Sequence, residues 1–310
     1  METEDFPEQR STALEMKAVT KSYGDLAVLQ GLDMNVREGE IYGFLGRNGA
    51  GKSTALRIIM GVTYASSGDL YLYQQQVRKN DPIPRQQIGY VAQEQHFYGW
   101  MTPTRLGKFV SGFYPKWDKN QYSSLLKKLE VPEERKIEGF SGGMNAKLAL
   151  AVALASNPRL LLLDEPTAGM DAVARREFLD IVRDDAVRSH RTTLFSSHLI
   201  DEVELAADKL GILDRGVMRF EGRLSTLRNS VHRYVKQGAT EDDLFDISID
   251  GIDVLQDVQR DGRREITLQQ SQASSSFNWP DAMASESGWQ VDPPGLEEIF
   301  VAMVGRPVIL

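Results

Sequence analysis

Gly46-Arg47-Asn48-Gly49-Ala50-Gly51-Lys52-Ser53 joins three glycines to a lysine and a hydroxyl at fixed intervals. The spacing fits G-x-x-x-x-G-K-[ST], and each residue type meets a demand made by a row of phosphates. Glycines let backbone N–H groups curl round an anion, and a helix starting behind them points its positive end at it. Lys52 can reach the outer phosphates, and the Ser53 hydroxyl can sit on Mg²⁺. Gly46, Asn48, Gly49, Ala50, Gly51, Lys52, Ser53 and Thr54 are therefore candidate contacts to a nucleoside triphosphate. A glycine turn with a chance Lys-Ser is the alternative, and the flanks argue against it. Glu40–Leu45 has the apolar, β-favouring character of a short buried strand, while Thr54–Met60 has helical apolar spacing with Gly61 as a stop.

Two carboxylates offer the next piece of chemistry. Leu160-Leu161-Leu162-Leu163 runs straight into Asp164-Glu165. Such a run suits a strand buried on both faces of a parallel sheet, where an unpaired carboxylate is costly. A Mg²⁺ shared with Ser53 would give Asp164 its partner. Glu165, expected on the opposite side of the strand, is a candidate general base for an attacking water. An acidic pair capping a helix remains the alternative. Ser141-Gly142-Gly143, directly before a helical stretch, forms a second anion site from N–H groups, a hydroxyl and a helix dipole. Gln93 ends one strand and could orient water or touch Mg²⁺, although a surface amide fits as well. His198 ends another strand, where a lone histidine is more often structural. His96, His190 and His232 fit no motif.

The elements that must carry these residues follow from the apolar pattern. Leu14–Val19 and Gly31–Val36 are expected as strands, with Lys21–Gly24 as a turn. Asp69–Tyr73 and Ile88–Ala92 are strand-like. From His96 to Glu138 the pattern turns helical, broken at Met101–Thr104 and Tyr114–Trp117, and aromatics crowd residues 97–117. Met144–Ala155 and Asp171–Arg188 are helices, Thr192–Ser197 is a strand, Leu199–Ala207 is a helix, and Leu210–Phe220 is a hairpin turned at Arg215-Gly216. Alternating strands and helices imply a doubly wound parallel sheet with its chemistry at the carboxyl ends of the strands.

Composition narrows the class. The chain has 310 residues, 41% hydrophobic and 26% charged, as in ordinary soluble proteins. With no cysteine, disulfides, thiolate metal sites and cysteine nucleophiles are excluded. The net charge of −8 argues against a nucleic-acid platform. No apolar run approaches the ~18–20 residues of a membrane span. With the acidic start Met1-Glu2-Thr3-Glu4-Asp5, this predicts a cytoplasmic chain that meets a membrane only through a partner.

Taken together, the phosphate loop, Gln93, Ser141-Gly142-Gly143, Asp164-Glu165-Pro166, Asp171 and His198 occur in the order and spacing of an ABC-type ATPase, and the resemblance covers about residues 14–222. Phe113–Asp118 and Ala174-Arg175-Arg176-Glu177 resemble the ATP-binding subunits of bacterial exporter-type ABC transporters, in the branch with Ytr-like and antibiotic-export systems. The resemblance implies a P-loop NTPase fold with an ABC-type helical insertion at about 96–145. It implies ATP with Mg²⁺ on Ser53, Gln93 and Asp164, and catalysis by Lys52, Gln93, Glu165 and His198. It also implies that His198 touches the γ-phosphate, that Gln93 senses it, and that Tyr23 stacks on adenine, with plain packing as the alternative for Tyr23. Ser141, Gly142 and Gly143 would face the ATP of a second subunit, identical or not, and Asp171 would cross the interface while capping a helix. Phe140 and Met144-Asn145 depart from the usual signature.

Residues 1–222 are accordingly read as the ATPase domain and 223–310 as an accessory α+β appendage. In the appendage Phe245–Asp250 is expected as a strand, Val258–Leu268 as a hairpin through Asp261-Gly262, Ser271–Ser276 as a linker and Leu296–Met303 as an amphipathic helix. The sequence thus points to the ATP-hydrolysing motor of an exporter, acting on a separate transmembrane permease at the inner face of the membrane. A soluble ABC ATPase of nucleic acid or the ribosome is the rival. It usually carries two cassettes or a long coiled coil, and neither is visible. A P-loop kinase or GTPase fits poorly with Ser141-Gly142-Gly143.

Overall fold

The computed structural model describes residues 11–78, 85–238, 251–260, 262–270 and 288–305. It divides into two units, Met1–Glu221 and Gly222–Leu310. The first contains β1 (Thr12–Tyr23), β2 (Leu26–Arg37), β3 (Ile41–Gly46), α1 (Lys52–Ile59), β4 (Ser67–Leu72), β5 (Gln75–Val77) and β6 (Ile88–Val91). Three helices follow, α2 (Pro103–Ser111), α3 (Lys119–Lys128) and α4 (Gly142–Ala155). The chain then alternates through β7 (Leu160–Asp164), α5 (Ala172–Ser189), β8 (Thr192–Ser197), α6 (Ile200–Ala206), β9 (Lys209–Asp214) and β10 (Val217–Arg223).

The strands form two sheets. The central one has the order β10-β9-β3-β8-β7-β6, and the five strands from β9 to β6 are parallel. The four leucines of β7 are fully buried, as a strand covered on both faces requires. From β9 the chain returns at Arg215-Gly216, with φ of 47° and 79°, the left-handed pair of a tight hairpin turn. The other sheet, ordered β2-β1-β4-β5, is antiparallel and separate, so the expected single parallel sheet is only part of the architecture. Alternation marks a strand without naming its neighbour. Lys21–Tyr23, expected as a turn, belong to β1, because Tyr23 pairs with Leu26 and confines the turn to Gly24-Asp25. Leu14, Met16, Leu32 and Met34 from this sheet join Phe44, Leu162 and Leu194 of the central one in a common core. Leu56 and Ile59 of α1 enter the same core, which holds the glycine loop by its following helix.

Helices α2 and α3 lie within the stretch expected as a helical insertion, and α4 starts at its end. Pro103, read as a break, is instead the first residue of α2, a position that needs no N–H. Thr102 caps that helix by accepting from the Arg105 N–H at 3.4 Å, and Asp118 caps α3 through Gln121 at 2.9 Å. Tyr98, Trp100, Phe109 and Phe113 stay 47–61% exposed. They touch in sequence, with centroids 6.1 Å apart for Tyr98–Trp100, 6.3 Å for Tyr98–Phe109 and 5.4 Å for Phe109–Phe113. Trp117 instead packs on Tyr122.

The second unit comprises α7 (Leu224–Ser230), β11 (Val231–Gln237), β12 (Ile252–Arg260), β13 (Arg263–Gln270), β14 (Gln290–Val291) and α8 (Leu296–Val304). Its antiparallel sheet, β12-β13-β11-β14, encloses Tyr234, Ile266, Leu268 and Trp289. The hairpin expected near Asp261-Gly262 is β12–β13, and the expected terminal helix is α8. Arg233 ties the sheet to the start of α8, reaching Asp292 at 2.7 Å and Glu298 at 2.5 Å. The strand expected at 245–250 and the linker at 271–276 lie outside the described residues.

Candidate functional site

The glycine loop is shaped by what surrounds it. At Gly46 a Cβ would lie 2.5 Å from the Leu213 carbonyl oxygen, so β9 admits only glycine there. Gly51, the residue before α1, has φ 113°, a conformation that side-chain-bearing residues avoid. Asn48 and Gly49 are exposed, Ala50 is buried, and Ser53 and Thr54 are half-buried on the first turn of α1. Lys52 is 4% exposed, and the loop closes round its ammonium group. Nζ donates to the Gly46 carbonyl at 2.7 Å and to that of Arg47 at 3.2 Å, and lies 3.1 Å from Glu165 Oε1.

At the end of β7, Asp164 is 1% exposed. Its Oδ1 accepts the hydroxyls of Ser53 and Ser196, each at 2.9 Å, and its Oδ2 lies 3.5 Å from the Tyr90 hydroxyl. Burial, with the Asp164 carboxylate adding to it, pushes the Tyr90 hydroxyl up to about 12. Hydroxyls are the only partners of Asp164 among the described contacts, and no side-chain cation touches it. A buried carboxylate flanked by hydroxyl oxygens is a donor set suited to a hard divalent ion.

Glu165 was expected to turn away by strand alternation. The strand instead ends at Asp164, and a left-handed backbone at Glu165, φ 45°, redirects the side chain. Its N–H donates to Ser196 Oγ at 3.0 Å, so one serine holds both acidic residues. Its Oε2 faces His198 Nδ1 at 3.2 Å and Gln93 Nε2 at 3.4 Å. Lys52, Gln93 and His198 thus converge on a single carboxylate. Ser196 and Tyr90 were missed from sequence. The available signal was weak: a hydroxyl closing an apolar strand, brought opposite Asp164 by the parallel register of β7 and β8.

The remaining candidates lie outside that cluster. Ser141 caps α4, accepting from the Met144 N–H at 3.3 Å, and is exposed together with Gly142. Open space surrounds Gly142, and Met170 approaches Gly143. Tyr23 is 48% exposed at the end of β1, with Lys21 Nζ 4.8 Å from its ring centre. Asp171 caps α5, and the N–H groups of Ala174 and Val173 hold its carboxyl below the ordinary range. No described contact brings Ser141 or Tyr23 to Lys52 or Glu165.

The pattern of the ABC transporter family matches residues 29–168. Over 201 residues the chain is 33% identical to the ABC transporter ATP-binding protein YtrB of Bacillus subtilis, covering 65% of this chain and 68% of that protein. It is 32% identical over 231 residues to the bacitracin transport ATP-binding protein BcrA of Bacillus licheniformis, covering 73% and 74% respectively. Among solved structures, a dimeric bacterial ABC transporter cassette superposes with a TM-score of 0.63 at 25% identity, over 68% of this chain and 98% of that one.

Proposed function

Since the chain belongs to the ABC transporter family and is an ATP-hydrolysing motor subunit of the exporter type, we propose how its residues divide that work. Lys52, with the N–H groups from Gly46 to Thr54, binds the phosphates, which take over the ammonium that Glu165 and the loop carbonyls hold in this structure. Ser53 and Asp164, with the side-chain amide oxygen of Gln93, would hold Mg²⁺, which would neutralise charge on the outer phosphates. Glu165 accepts the proton of the attacking water, Gln93 orients that water, and His198 contacts the γ-phosphate while fixing the carboxylate. Tyr23 offers its exposed ring to adenine.

The observation that carries this reading is the convergence of Lys52, Gln93 and His198 on the Glu165 carboxylate, beside an Asp164 that is paired, among the described residues, with hydroxyls. Ser141, Gly142 and Gly143 serve the nucleotide of a second ATPase subunit, and the exposure of Ser141 and Gly142 supports that role. The exposed aromatic group from Tyr98 to Phe113 receives a separate permease, which holds the subunit at the inner face of the membrane. Residues 1–222 form the motor and 223–310 an accessory domain that supports or regulates it.

The test is Glu165→Gln, which keeps shape and hydrogen bonding but cannot take the proton. With ATP and Mg²⁺ this variant should hydrolyse at least about a hundredfold more slowly and elute as a dimer. It should elute with a larger monomer share in ADP, because a phosphate bridging two chains turns binding energy into association energy. Hydrolysis at the unmodified rate would remove Glu165 from the mechanism.

A further inference from the structure

A third buried carboxylate lies beside Glu165 and takes no part in the chemistry above. Glu202, on the first turn of α6, is 2% exposed. Its Oε2 accepts the Ser197 hydroxyl at 2.6 Å, and its Oε1 accepts the Thr167 hydroxyl in a short bond. Arg175 Nε lies 3.3 Å from the same Oε1. These partners come from three places: the residue before His198, the loop two residues after Glu165, and the first turns of α5. A cavity of about 70 Å³ is bounded by Glu165, Thr167, His198 and Glu202, among others.

The loop from Glu165 to Asp171 is anchored at its ends by other means. Ser196 holds the Glu165 N–H, and Asp171 caps α5. Within it, two turn bonds, Ala168 N–H to Glu165 O and Met170 N–H to Thr167 O, give local shape without fixing the loop to the sheet. The side-chain tethers between those ends run to Glu202. Thr167 bonds it directly, and Arg175, paired with it, donates from Nη2 to the Met170 carbonyl at 3.4 Å. Met170 in turn packs beside Gly143 of the exposed anion loop. On the other side, Ser197 Oγ also accepts the Leu199 N–H at 2.9 Å, which sets the turn carrying His198. Burying a carboxylate is costly, and a well-packed apolar side chain of the same size would fill the space at lower cost. What the carboxylate adds is two directed acceptors that fix both hydroxyls at once.

We infer that Glu202 is a positioning residue for hydrolysis. It ties the Glu165–His198 pair to the loop at 166–171 and, through Met170, to the Ser141 loop. The base and the histidine are then aligned by the same loop that meets the second subunit. This rests on the assignment of Glu165 as base and of His198 as its partner.

The experiment compares Glu202→Gln with Glu202→Met in the full chain, reading kcat and KM for ATP per titrated nucleotide site. Gln can serve both hydroxyls, since their protons rotate, whereas Met fills similar space with no acceptor of comparable strength. Glu202→Gln should stay within about threefold of the unmodified kcat, while Glu202→Met loses at least about tenfold with KM within about twofold. Thr167→Val, which removes the same bond from the other end, should reproduce the loss and add little to Glu202→Met. Unchanged kcat in Glu202→Met, or equal losses in Gln and Met, would overturn the positioning role. If Glu202→Met does not fold, Thr167→Val decides alone, and full activity in it counts against the inference. Glu165→Gln, run alongside, separates the two assignments, because hydrolysis in that variant refutes the base and not Glu202.

Discussion

The loop before α1 and the Ser141-Gly142-Gly143 segment that opens α4 are both glycine-rich helix starts, yet they stand in opposite physical conditions. Around Lys52 the chain supplies its own counter-groups, two carbonyls and a carboxylate, and solvent is shut out. Around Gly142 there is open space, and Ser141 does no more within its own chain than cap its helix. Lys52 and its surroundings form a chemical centre that can be judged within one chain. Ser141 and Gly142 are exposed, so under the proposed role that loop acts only when an anion is presented from outside.

Four tests probe that contrast. Lys52→Ala should lower phosphate release at least about a hundredfold while the circular dichroism spectrum stays that of a folded protein. Retained turnover would show that the enclosed loop is not the phosphate site. Next in size, Ser141→Arg placed in the Glu165→Gln background should weaken ATP-dependent dimerisation by about tenfold or more while leaving ATP binding to the monomer within about twofold. Equal loss of both on size exclusion and equilibrium binding would mean that the two loops act as one site. Tyr23→Ala should raise KM for ATP about three- to tenfold while Tyr23→Phe leaves it nearly unchanged, as stacking without base readout requires. The smallest effect on basal turnover, within about twofold, is expected for Phe109→Ser combined with Phe113→Ser, because both rings are exposed and away from the cluster. In the presence of the permease the same variant should lose its stimulation. A basal loss as large as the stimulated one would make the aromatic group a packing feature.

The parts of the fold legible in sequence are those where one local rule decides. The leucines of β7 require burial, and the helix after the phosphate loop follows from its spacing and from Gly61. The antiparallel sheet was not legible, since alternation in β1, β2 and β4 does not say which strands pair. Thr102-Pro103 was misread because proline breaks a helix interior but suits its first turn. At the site, residue types named Lys52, Asp164 and Glu165, but not the left-handed backbone that aims Glu165. Ser196, Ser197, Thr167 and Glu202 escaped for a related reason. Each is an ordinary polar residue, and only the register of β7 with β8 and the packing of α6 turn them into a network.

The open surroundings of Ser141 and Gly142 have a consequence for genetics. If two copies of this chain pair as proposed, each reaction centre takes its phosphate loop from one copy and its Ser141 loop from the other. A copy carrying Lys52→Ala and a copy carrying Ser141→Arg are then each inactive when alone. Mixed, they assemble one centre in which both halves are damaged and one in which both are intact. Two null alleles with lesions on different loops would therefore complement in a single cell, whereas two alleles hitting the same loop would not.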